Sequence, residues 1–316
     1  MNRKIDAAAL AHPLTLTAAL ALIQQRFPVD RVLADYDRDI TIRYYTDSEP
    51  GYRRYHSLQD CVHFALNEDG VFAPEGYYAQ PRSVSAQIQA IQAQQVLELG
   101  SGKGFNSVFL AQEHPTVNII GVDLTPHHVQ IARCKAAQIP NLAFRVGDFN
   151  QLDLPDRSVD LAFGVDCLCH AADSKTVLTE LYRVLKPGGR LVVFDGYRRA
   201  DLATFSPEMQ LAMQLTEVTM AVRHGFPVLA DWLAVAESVG FTAIGQQDQT
   251  QAILPNLYEV QALAQRYFRR PWRAKLLQWL LPKYLVQNAI AGLLLPLVCD
   301  PETGAFSYQQ LVLEVP

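Results

Sequence analysis

The stretch Val96-Leu-Glu-Leu-Gly100-Ser-Gly102-Lys-Gly104-Phe105 puts three glycines at alternate positions between two segments of different character. Residues 95–99 (QVLEL) form a short apolar run that predicts a buried strand, and residues 105–114 have helical spacing. Glycines at such a junction let the backbone turn tightly and let a ligand lie against main-chain amides. The spacing differs from the dinucleotide fingerprint G-x-G-x-x-G, and the G-K-S/T of a P-loop is absent, so the loop alone does not identify its ligand.

Strand and helix signals alternate downstream of this loop. Apolar runs predict further strands at 117–123, 142–146, 159–166, 190–195, 241–245 and 307–315. Helical spacing is found at 83–92, 127–138, 174–185 and 231–239 and, more loosely, at 5–27, 29–46 and 251–305. The segment Lys186-Pro-Gly-Gly189 predicts a turn, since proline and glycine end a helix. This alternation predicts βαβ units with right-handed crossovers around a parallel sheet.

Acidic residues follow the second and third predicted strands. Asp123 closes the second strand, where a carboxylate can accept two hydrogen bonds from a ribose diol. Asp148 and Phe149 follow the third strand, where an acid can accept from an adenine amino group and an aromatic ring can pack on the base. Together with the glycine loop, these positions indicate a site for an adenosine-containing ligand.

In order and spacing, residues 83–197 resemble the class I S-adenosylmethionine-dependent methyltransferases. The resemblance implies an α/β, Rossmann-like seven-stranded sheet of order 3-2-1-4-5-7-6, with antiparallel strand 7 at 307–315 and a helical cap. It implies that the glycine loop and Glu98 hold the methionine end of the cofactor, and that the loop 165–170 faces the sulfonium. The implied cofactor-binding residues are Glu98, Gly100, Ser101, Gly102, Gly104, Asp123, Leu124, Asp148, Phe149 and Val165.

The length of 316 residues exceeds what such a core needs. We therefore expect a helical, tyrosine-rich N-terminal cover at 1–82 and a methyltransferase core at 83–316. That core would carry two helical cap insertions, at 198–227 and 251–305. The surplus half of the chain is predicted to build a substrate chamber.

Several features favour a large apolar acceptor. The insertion after residue 198 contains three of the four methionines, which suit an adaptable apolar wall as well as an ordinary core. The segment 43–56 is rich in tyrosine and resembles the sterol and tocopherol C-methyltransferase group in its Tyr44-Tyr45 pair, in 51–56 and in His63-Phe64. Methyl transfer to an alkene leaves a carbocation, which needs aromatic faces and then a base.

Two arginines, Arg53 and Arg54, stand where the sterol family has an aromatic-acidic sequence. With the basic segment 269–275 they can bind an anionic head group, or they can simply form solvated helix faces. We therefore favour C-methylation of an isoprenoid, for example a prenyl diphosphate such as farnesyl diphosphate, with or without rearrangement or cyclisation of the cation. The predicted substrate-binding residues are Arg53, Arg54, Tyr197, Met213 and Met220.

For the base we predict His170, with Asp166 and His56 as further candidates, because His170 follows strand four and a near-neutral pKa suits proton removal. The predicted cation-stabilising residues are Tyr44, Tyr45 and Tyr52. Three other functions stay open at this stage: an O- or N-methyltransferase of a small aromatic natural product, a catalytically silent S-adenosylmethionine-binding scaffold and, disfavoured by the glycine spacing, a nicotinamide oxidoreductase.

Composition narrows the partners. A net charge of −5 argues against a nucleic-acid partner, and no Asn/Asp-Pro-Pro-Tyr/Phe motif follows strand four. Five scattered cysteines are typical of reduced, cytoplasmic thiols, and the N-terminus lacks the apolar run of a signal peptide. The apolar stretch 284–298 is too short for a transmembrane span and predicts a buried or interfacial helix. No metal site is predicted, because Cys167-x-Cys169-His170 lacks a second ligand pair. Mg²⁺ could assist a diphosphate, but no aspartate-rich motif indicates it. Homo-oligomerisation stays open.

Overall fold

The computed structural model describes residues 14–34, 40–51 and 60–316, without the Ile40 side chain. Seven strands form its centre: β1 Gln95–Leu99, β2 Asn118–Asp123, β3 Leu142–Val146, β4 Val159–Val165, β5 Leu185–Arg198, β6 Thr242–Asp248 and β7 Phe306–Glu314. They form one sheet of order β3-β2-β1-β4-β5-β7-β6. β1 to β5 pair in parallel, and β7 runs antiparallel to both β5 and β6. The predicted fold and strand order are confirmed.

Twelve α-helices accompany the sheet in the described part of the chain. They are α1 Leu16–Gln24, α2 Val29–Leu33, α3 Ile40–Gly51, α4 Ala79–Ala90, α5 Phe105–Glu113, α6 Pro126–Ala136, α7 Ser174–Val184, α8 Pro207–Thr219, α9 Leu229–Val239, α10 Thr250–Phe268, α11 Pro271–Leu280 and α12 Lys283–Val298. Apolar residues of α4, α5 and α6 pack on one face of the sheet, and those of α7 and α9 pack on the other. Both faces are covered, which explains the nearly continuous apolar strands.

Two predicted elements differ from those observed. The first is the turn at Lys186-Pro-Gly-Gly189, which lies inside β5: pairing with β4 passes from Val159–Leu185 to Leu161–Arg190, so the extra residues bulge out of the strand. The second is the helix predicted for 29–46, which is replaced by α2 and α3. The latter continues to Gly51 and so takes up part of the tyrosine-rich segment.

The cap is built from α8, α10, α11 and α12, with α1, α2 and α3 packed against it. A buried ion pair ties α8 to the sheet: Arg198 Nε and Nη2 each donate to a carboxylate oxygen of Glu217 at 2.6 Å. The bidentate geometry holds the cap at the carboxyl end of β5.

The apolar stretch 284–298 forms α12, and its Ile290, Leu293 and Leu294 are fully buried. This confirms the prediction of a buried helix. Within the described ranges, no helix combines the length and the apolar character that crossing a bilayer requires.

Candidate active site

The glycine loop joins β1 to α5 in a conformation that only glycine adopts easily. Gly100, Gly102 and Gly104 have φ of 58°, 51° and 80°. A Cβ on Gly104 would lie 2.6 Å from Phe144 Cζ, and one on Gly100 would lie 2.5 Å from Cys167 Cβ. The loop therefore places backbone without side chains at the carboxyl edge of the sheet, where β1 lies between β2 and β4. Ligands of this fold class bind at that edge.

Asp123 ends β2 beside this loop. Its Oδ2 accepts a hydrogen bond from Gly102 N at 2.8 Å, and its Oδ1 accepts one from Thr125 N at 2.8 Å. These bonds fix the carboxylate plane, and each oxygen keeps acceptor capacity for a further donor such as a ribose hydroxyl. Leu124 follows with an exposed side chain.

Glu98, the acidic residue of β1, is held by the helix that follows the glycine loop. This side chain is buried beneath the loop, where its carboxylate accepts from Asn106 Nδ2 at 3.0 Å and from the Ser107 hydroxyl. Burial raises the pKa of Glu98 to about 7. Both oxygens are thus bonded to α5, so Glu98 fixes the position of the loop and the helix. Each oxygen keeps acceptor capacity for a further donor, and contact with the cofactor stays a prediction.

The remaining predicted cofactor residues lie around the same edge. Asp148 is exposed, and its Oδ1 accepts from the backbone and side chain of Asn150. Phe149 is half-buried and packs against the apolar cluster on the α7 side of the sheet. Ser101 and Val165 are buried. Asp123 and Asp148 therefore stand on neighbouring strands at one edge of the sheet.

A cavity of about 400 Å³ opens next to this edge, between the sheet and the cap; we call it the chamber. Its wall is mostly apolar. Side chains come from α3, α10, α11 and α12, from the loop after β4, and from β5 and β7. The size falls within the range of small-molecule sites.

His170 lines the chamber and contacts α3. Its Nδ1 lies 3.2 Å from Ala221 O, and its Nε2 lies 3.0 Å from the Tyr45 hydroxyl. A carbonyl only accepts, so the proton sits on Nδ1 and Nε2 accepts the hydrogen bond from Tyr45. Burial lowers the pKa of His170, so the ring is a neutral base at physiological pH. The predicted pair of His170 and Tyr45 is therefore brought into direct contact.

Two carboxyl groups line the sheet end of the chamber. Asp166 follows β4 with φ of 51° and accepts from Phe64 N at 3.1 Å, while Asp195 in β5 accepts from Cys169 N at 3.0 Å. Burial, together with the nearby Asp195, raises the pKa of Asp166 to about 8, and burial raises that of Asp195 to about 6. At neutral pH the pair therefore holds about one proton, because two adjacent buried charges are unfavourable.

The far end of the chamber is basic. Arg266 on α10 and Arg273 on α11 both line it. The other end of α10 is bonded to the sheet, where Tyr308 N donates to Thr250 Oγ1 at 2.9 Å. Sixteen residues of helix separate Thr250 from Arg266, roughly 24 Å. The carboxyl pair and the arginines thus mark opposite ends of one apolar cavity.

The other predicted residues divide into three groups. Tyr44 is buried, lines the chamber and packs edge-on against Tyr45, with ring centroids 5.1 Å apart; Met220 also lines the chamber. Two substrate assignments are corrected. Tyr197 packs on Trp232 in the core on the α7 side of the sheet, and Met213 is fully buried in the core beneath the cap. The third group, Tyr52, Arg53, Arg54 and His56, lies outside the described residues.

A polar contact joins α3 to the glycine loop. Lys103, buried within the loop, contacts Glu49 of α3 at 3.2 Å and Asp60 at 3.1 Å. His128 on α6 approaches the other oxygen of Glu49 at 3.6 Å. We call this group of ion pairs the clasp. It fixes α3 over the edge of the sheet that carries the glycine loop.

Sequence reasoning missed Asp195, Arg266 and the clasp. Asp195 closes the run predicted as a strand at 190–195, next to the strand that Asp166 follows, so the same rule that found Asp123 could have found it. Arg266 shares a helical face with Leu263 and Tyr267, a pattern that indicates an amphipathic helix but not its partner.

The five cysteines are all free thiols, and four of them are buried. Across residues 14–34, 40–51 and 60–316, no three His, Cys, Asp or Glu side chains converge as metal ligands.

The fold, the glycine loop and Asp123 define the architecture of a class I methyltransferase. Residues 97–193 match the family model described as "Methyltransferase domain". The match covers β2 to β4 and most of β1 and β5, while the cap, β6 and β7 lie outside the matched residues.

Curated relatives are similar over about half of this chain. An arsenite methyltransferase of Halobacterium salinarum is 35% identical over 153 residues, 47% of this chain and 37% of the relative. The S-adenosyl-L-methionine-dependent Diels-Alderase iccD of Talaromyces variabilis is 32% identical over 171 residues, 51% of this chain and 57% of that protein. The 24-methylenesterol C-methyltransferase 2 of Arabidopsis thaliana is 31% identical over 164 residues, 51% of this chain and 45% of that protein. This chain thus spans between 37% and 57% of the length of these three relatives.

Solved structures extend the likeness to the cap. The [4+2]-cyclase SpnF superimposes with a TM-score of 0.67 at 17% identity, covering 87% of this chain and 96% of its own. A geranyl diphosphate methyltransferase in complex with GPP and sinefungin gives a TM-score of 0.60 at 15% identity. The superposition covers 92% of this chain and 100% of the methyltransferase. At such identities these neighbours show the shared fold.

Proposed function

We propose that this chain is an S-adenosylmethionine-dependent C-methyltransferase whose acceptor is an isoprenoid with an anionic head group, such as a prenyl diphosphate. One observation carries the proposal: a single apolar chamber has a neutral base and a carboxyl pair at the sheet end and two arginines at the other. In this proposal, residues 1–82 and the insertions 198–227 and 251–305 enclose the acceptor.

The residues at the sheet edge fit S-adenosylmethionine. A Cβ at Gly100 or Gly104 would overlap Cys167 or Phe144, so the loop packs closely against its neighbours and its backbone amides stay at the sheet edge. Asp123 is fixed to accept from ribose hydroxyls, with Asp148 further along the edge and Glu98 holding the loop from below. Bound there, S-adenosylmethionine supplies an electrophilic methyl group.

His170 and Tyr45 are placed to remove a proton. Adding a methyl group to an alkene carbon leaves positive charge on the adjacent carbon, and loss of a C–H proton then restores a double bond. The Tyr45 oxygen can accept that proton while its own hydroxyl proton passes to His170 Nε2, along the 3.0 Å hydrogen bond. The ring faces of Tyr44 and Tyr45 and the ionised member of the Asp166–Asp195 pair favour the developing charge.

The basic end suits a phosphate-bearing head group. Arg266 and Arg273 line the chamber there, and guanidinium groups bind phosphate oxygens through paired N–H donors. An isoprenoid anchored in this way would extend its apolar chain toward His170. A sterol C-methyltransferase among the relatives and a geranyl diphosphate methyltransferase with the same fold agree with an isoprenoid acceptor.

The test is a transfer assay with the full chain and methyl-tritiated S-adenosylmethionine. Geranyl diphosphate, farnesyl diphosphate, a free sterol, a quinol precursor and a panel of small phenols and amines are offered separately. The proposal expects tritium in a carbon-methylated product from a prenyl diphosphate. Label found only in phenols or amines would instead identify an O- or N-methyltransferase, and no product from any isoprenoid overturns the proposal.

A matched pair of variants tests the head-group end. Arg266→Gln with Arg273→Gln should raise the KM for a prenyl diphosphate about tenfold or more, since each removes charge-assisted hydrogen bonds. The KM for the corresponding alcohol should not change. Arg269→Gln, on an exposed neighbour outside the chamber wall, is the control. Equal effects on diphosphate and alcohol would contradict the assignment.

A second candidate function is a cycloaddition that requires no methyl transfer. It is favoured by the relative iccD, an S-adenosyl-L-methionine-dependent Diels-Alderase that matches 51% of this chain. The apolar chamber could fold a polyene for ring closure. Incubation of linear polyenes with the protein and S-adenosylmethionine, followed by mass spectrometry, separates the two. A product of unchanged mass without tritium supports cyclisation, and a gain of one methyl group opposes it.

A further inference from the structure

One surface of the molecule stands apart from the rest in both shape and charge. It consists of residues 269–283, namely α11 and its flanks, and we call it the α11 surface. Within the described ranges, five of the ten exposed large hydrophobic side chains fall in this short segment: Trp272, Leu276, Trp279, Leu280 and Leu281. Trp272 is 68% exposed and Trp279 is 81% exposed. Isolated exposed apolar residues are ordinary, but a contiguous group marks a binding surface.

The charge of this surface is as distinctive as its apolarity. Its cations are Arg269, Arg270, Arg273, Lys275 and Lys283. From Val260 to Cys299 the chain has no Asp or Glu, although its net charge is −5. The guanidinium of Arg273 lies over the Trp272 ring, 5.7 Å from its centroid. Tryptophan and leucine interleaved with arginine and lysine on one exposed helix is the pattern of a helix that lies in a membrane interface.

The helix is held in place with this face outward. Gln278 Nε2 donates to Arg26 O at 3.1 Å and lies 2.9 Å from the Tyr267 hydroxyl, and Ala274 is fully buried against the cap. The apolar side chains therefore project from an anchored helix and are available before any partner arrives.

The α11 surface also borders the chamber. Arg273, Leu277 and Leu281 belong to this segment and line the cavity, and both Arg273 and Leu281 are exposed as well. The chamber therefore reaches the protein surface at the point where the tryptophans project.

We propose that the α11 surface docks on a bilayer that contains anionic lipid, so that the chamber opens toward the membrane interface. The tryptophans and leucines enter the boundary between head groups and acyl chains. Arg269, Arg270, Lys275 and Lys283 face the acidic head groups, while Arg273 stays at the chamber. A second copy of this chain fits less well, because a symmetric contact would set the same basic, acid-free face against itself. This proposal does not depend on the reaction assigned above, since membrane binding is measured without turnover.

The test is co-sedimentation of the full chain with sucrose-loaded vesicles. We expect binding to phosphatidylcholine vesicles that contain about 30 mol% phosphatidylglycerol, weaker binding to pure phosphatidylcholine, and loss of binding at high salt. Trp272→Ser with Trp279→Ser should lower the partition coefficient at least about tenfold. Arg269→Gln, Arg270→Gln and Lys275→Gln together should lower it roughly 100-fold.

Matched variants elsewhere control for general loss of apolar area or charge. Tyr258→Ser removes an exposed aromatic side chain from α10, and Lys175→Gln removes an exposed cation from α7; both should bind vesicles like the unchanged chain. Circular dichroism and Tm should be the same for all variants, because the replaced side chains are exposed. Vesicle binding that survives the tryptophan changes, or its absence in the unchanged chain, overturns the proposal. A dimer that these changes convert to monomer, without vesicle binding, would assign the surface to a second copy.

Discussion

The two halves of the candidate site are built in opposite ways. The cofactor half uses backbone conformation and short polar side chains taken from one run of the chain, Gly100 to Asp148. The chamber half uses side chains gathered from Tyr44 to Phe306, on helices that meet only in the folded protein. The first half is thus defined by local sequence and the second by tertiary packing. A substitution in the cofactor half should change cofactor affinity, and one in the chamber half should change turnover of the acceptor.

The largest expected effect belongs to the chamber half. His170→Ala removes the acceptor of the Tyr45 hydroxyl proton, and we expect turnover of the isoprenoid to fall about 100-fold or more, the usual contribution of a general base. Affinity for S-adenosylmethionine should stay within a factor of two, roughly the resolution of calorimetry. Steady-state kinetics and calorimetry on the same variant separate the two halves.

The control for this prediction is His114→Gln, since His114 contacts Ser85 on α4 and does not line the chamber. If His170→Ala kept full turnover with the cofactor bound, His170 would not be the base. If it lost cofactor affinity to the same degree as turnover, the two halves would not be separable in this way.

The matching change in the cofactor half is Asp123→Asn. It keeps the size of the side chain but removes the charge that accepts from Gly102 N and Thr125 N and, in our proposal, from the ribose. Two charge-assisted hydrogen bonds correspond to a dissociation constant roughly 100-fold higher. Calorimetric titration with S-adenosylhomocysteine measures this. Asp153→Asn, at an exposed position, should bind normally, and an unchanged affinity in Asp123→Asn would contradict the assigned role.

A smaller effect is expected from narrowing the chamber. Ala289 on α12 lines the cavity and is half-buried, so Ala289→Leu should shift the ratio of kcat/KM from farnesyl toward geranyl diphosphate by about tenfold, as added carbons do in apolar pockets. Ala262→Leu on α10, half-buried but outside the lining, is the matched control. If the two variants had the same ratio of kcat/KM for farnesyl and geranyl diphosphate, the size of the chamber would not determine which chain length is accepted.

The smallest effect concerns stability and pH. Asp166 has an ordinary pKa of 3.8 when unfolded and about 8 in the fold, so the native state binds the extra proton between those values. The free energy of unfolding therefore falls as pH rises from about 4 to about 8. Asp166→Asn removes this ionisation, so its Tm should fall less than that of the unchanged chain between about pH 5 and pH 8, by a few degrees.

Asp195→Asn should flatten the Tm curve only up to about pH 6, where its own titration ends. Asp153→Asn again serves as the exposed control. Parallel Tm curves for all four proteins would mean that the two chamber carboxyls titrate as they do in water.

Much of the cofactor half was readable from the sequence. A strand, three alternating glycines and an acid at the end of the next strand are local patterns, so the sheet order, the loop and Asp123 could be placed before the structure was known. The sequence did not indicate that Asn106 and Ser107, beyond the glycine loop, bond the Glu98 carboxylate, because that contact depends on how the loop folds.

The chamber half was predicted less well, because burial alone does not say which side of a sheet a residue faces. Met213 and Met220 are alike in composition and lie in one helical region, yet only Met220 reaches the cavity. Tyr197 and Gly196 are adjacent in β5, and the alternation of the strand sends Tyr197 to the opposite layer. His170 and Tyr45 were each identified, but their 3.0 Å contact spans 125 positions of sequence and needed coordinates.

The clasp makes α3 a link between the glycine loop and the chamber. Tyr45 and Glu49 are four residues apart and so lie on one side of α3, the first bonded to His170 and the second to Lys103 in the glycine loop. In the proposed reaction, any opening of α3 would break both contacts together. It would thereby tie release of the demethylated cofactor to release of the methylated product.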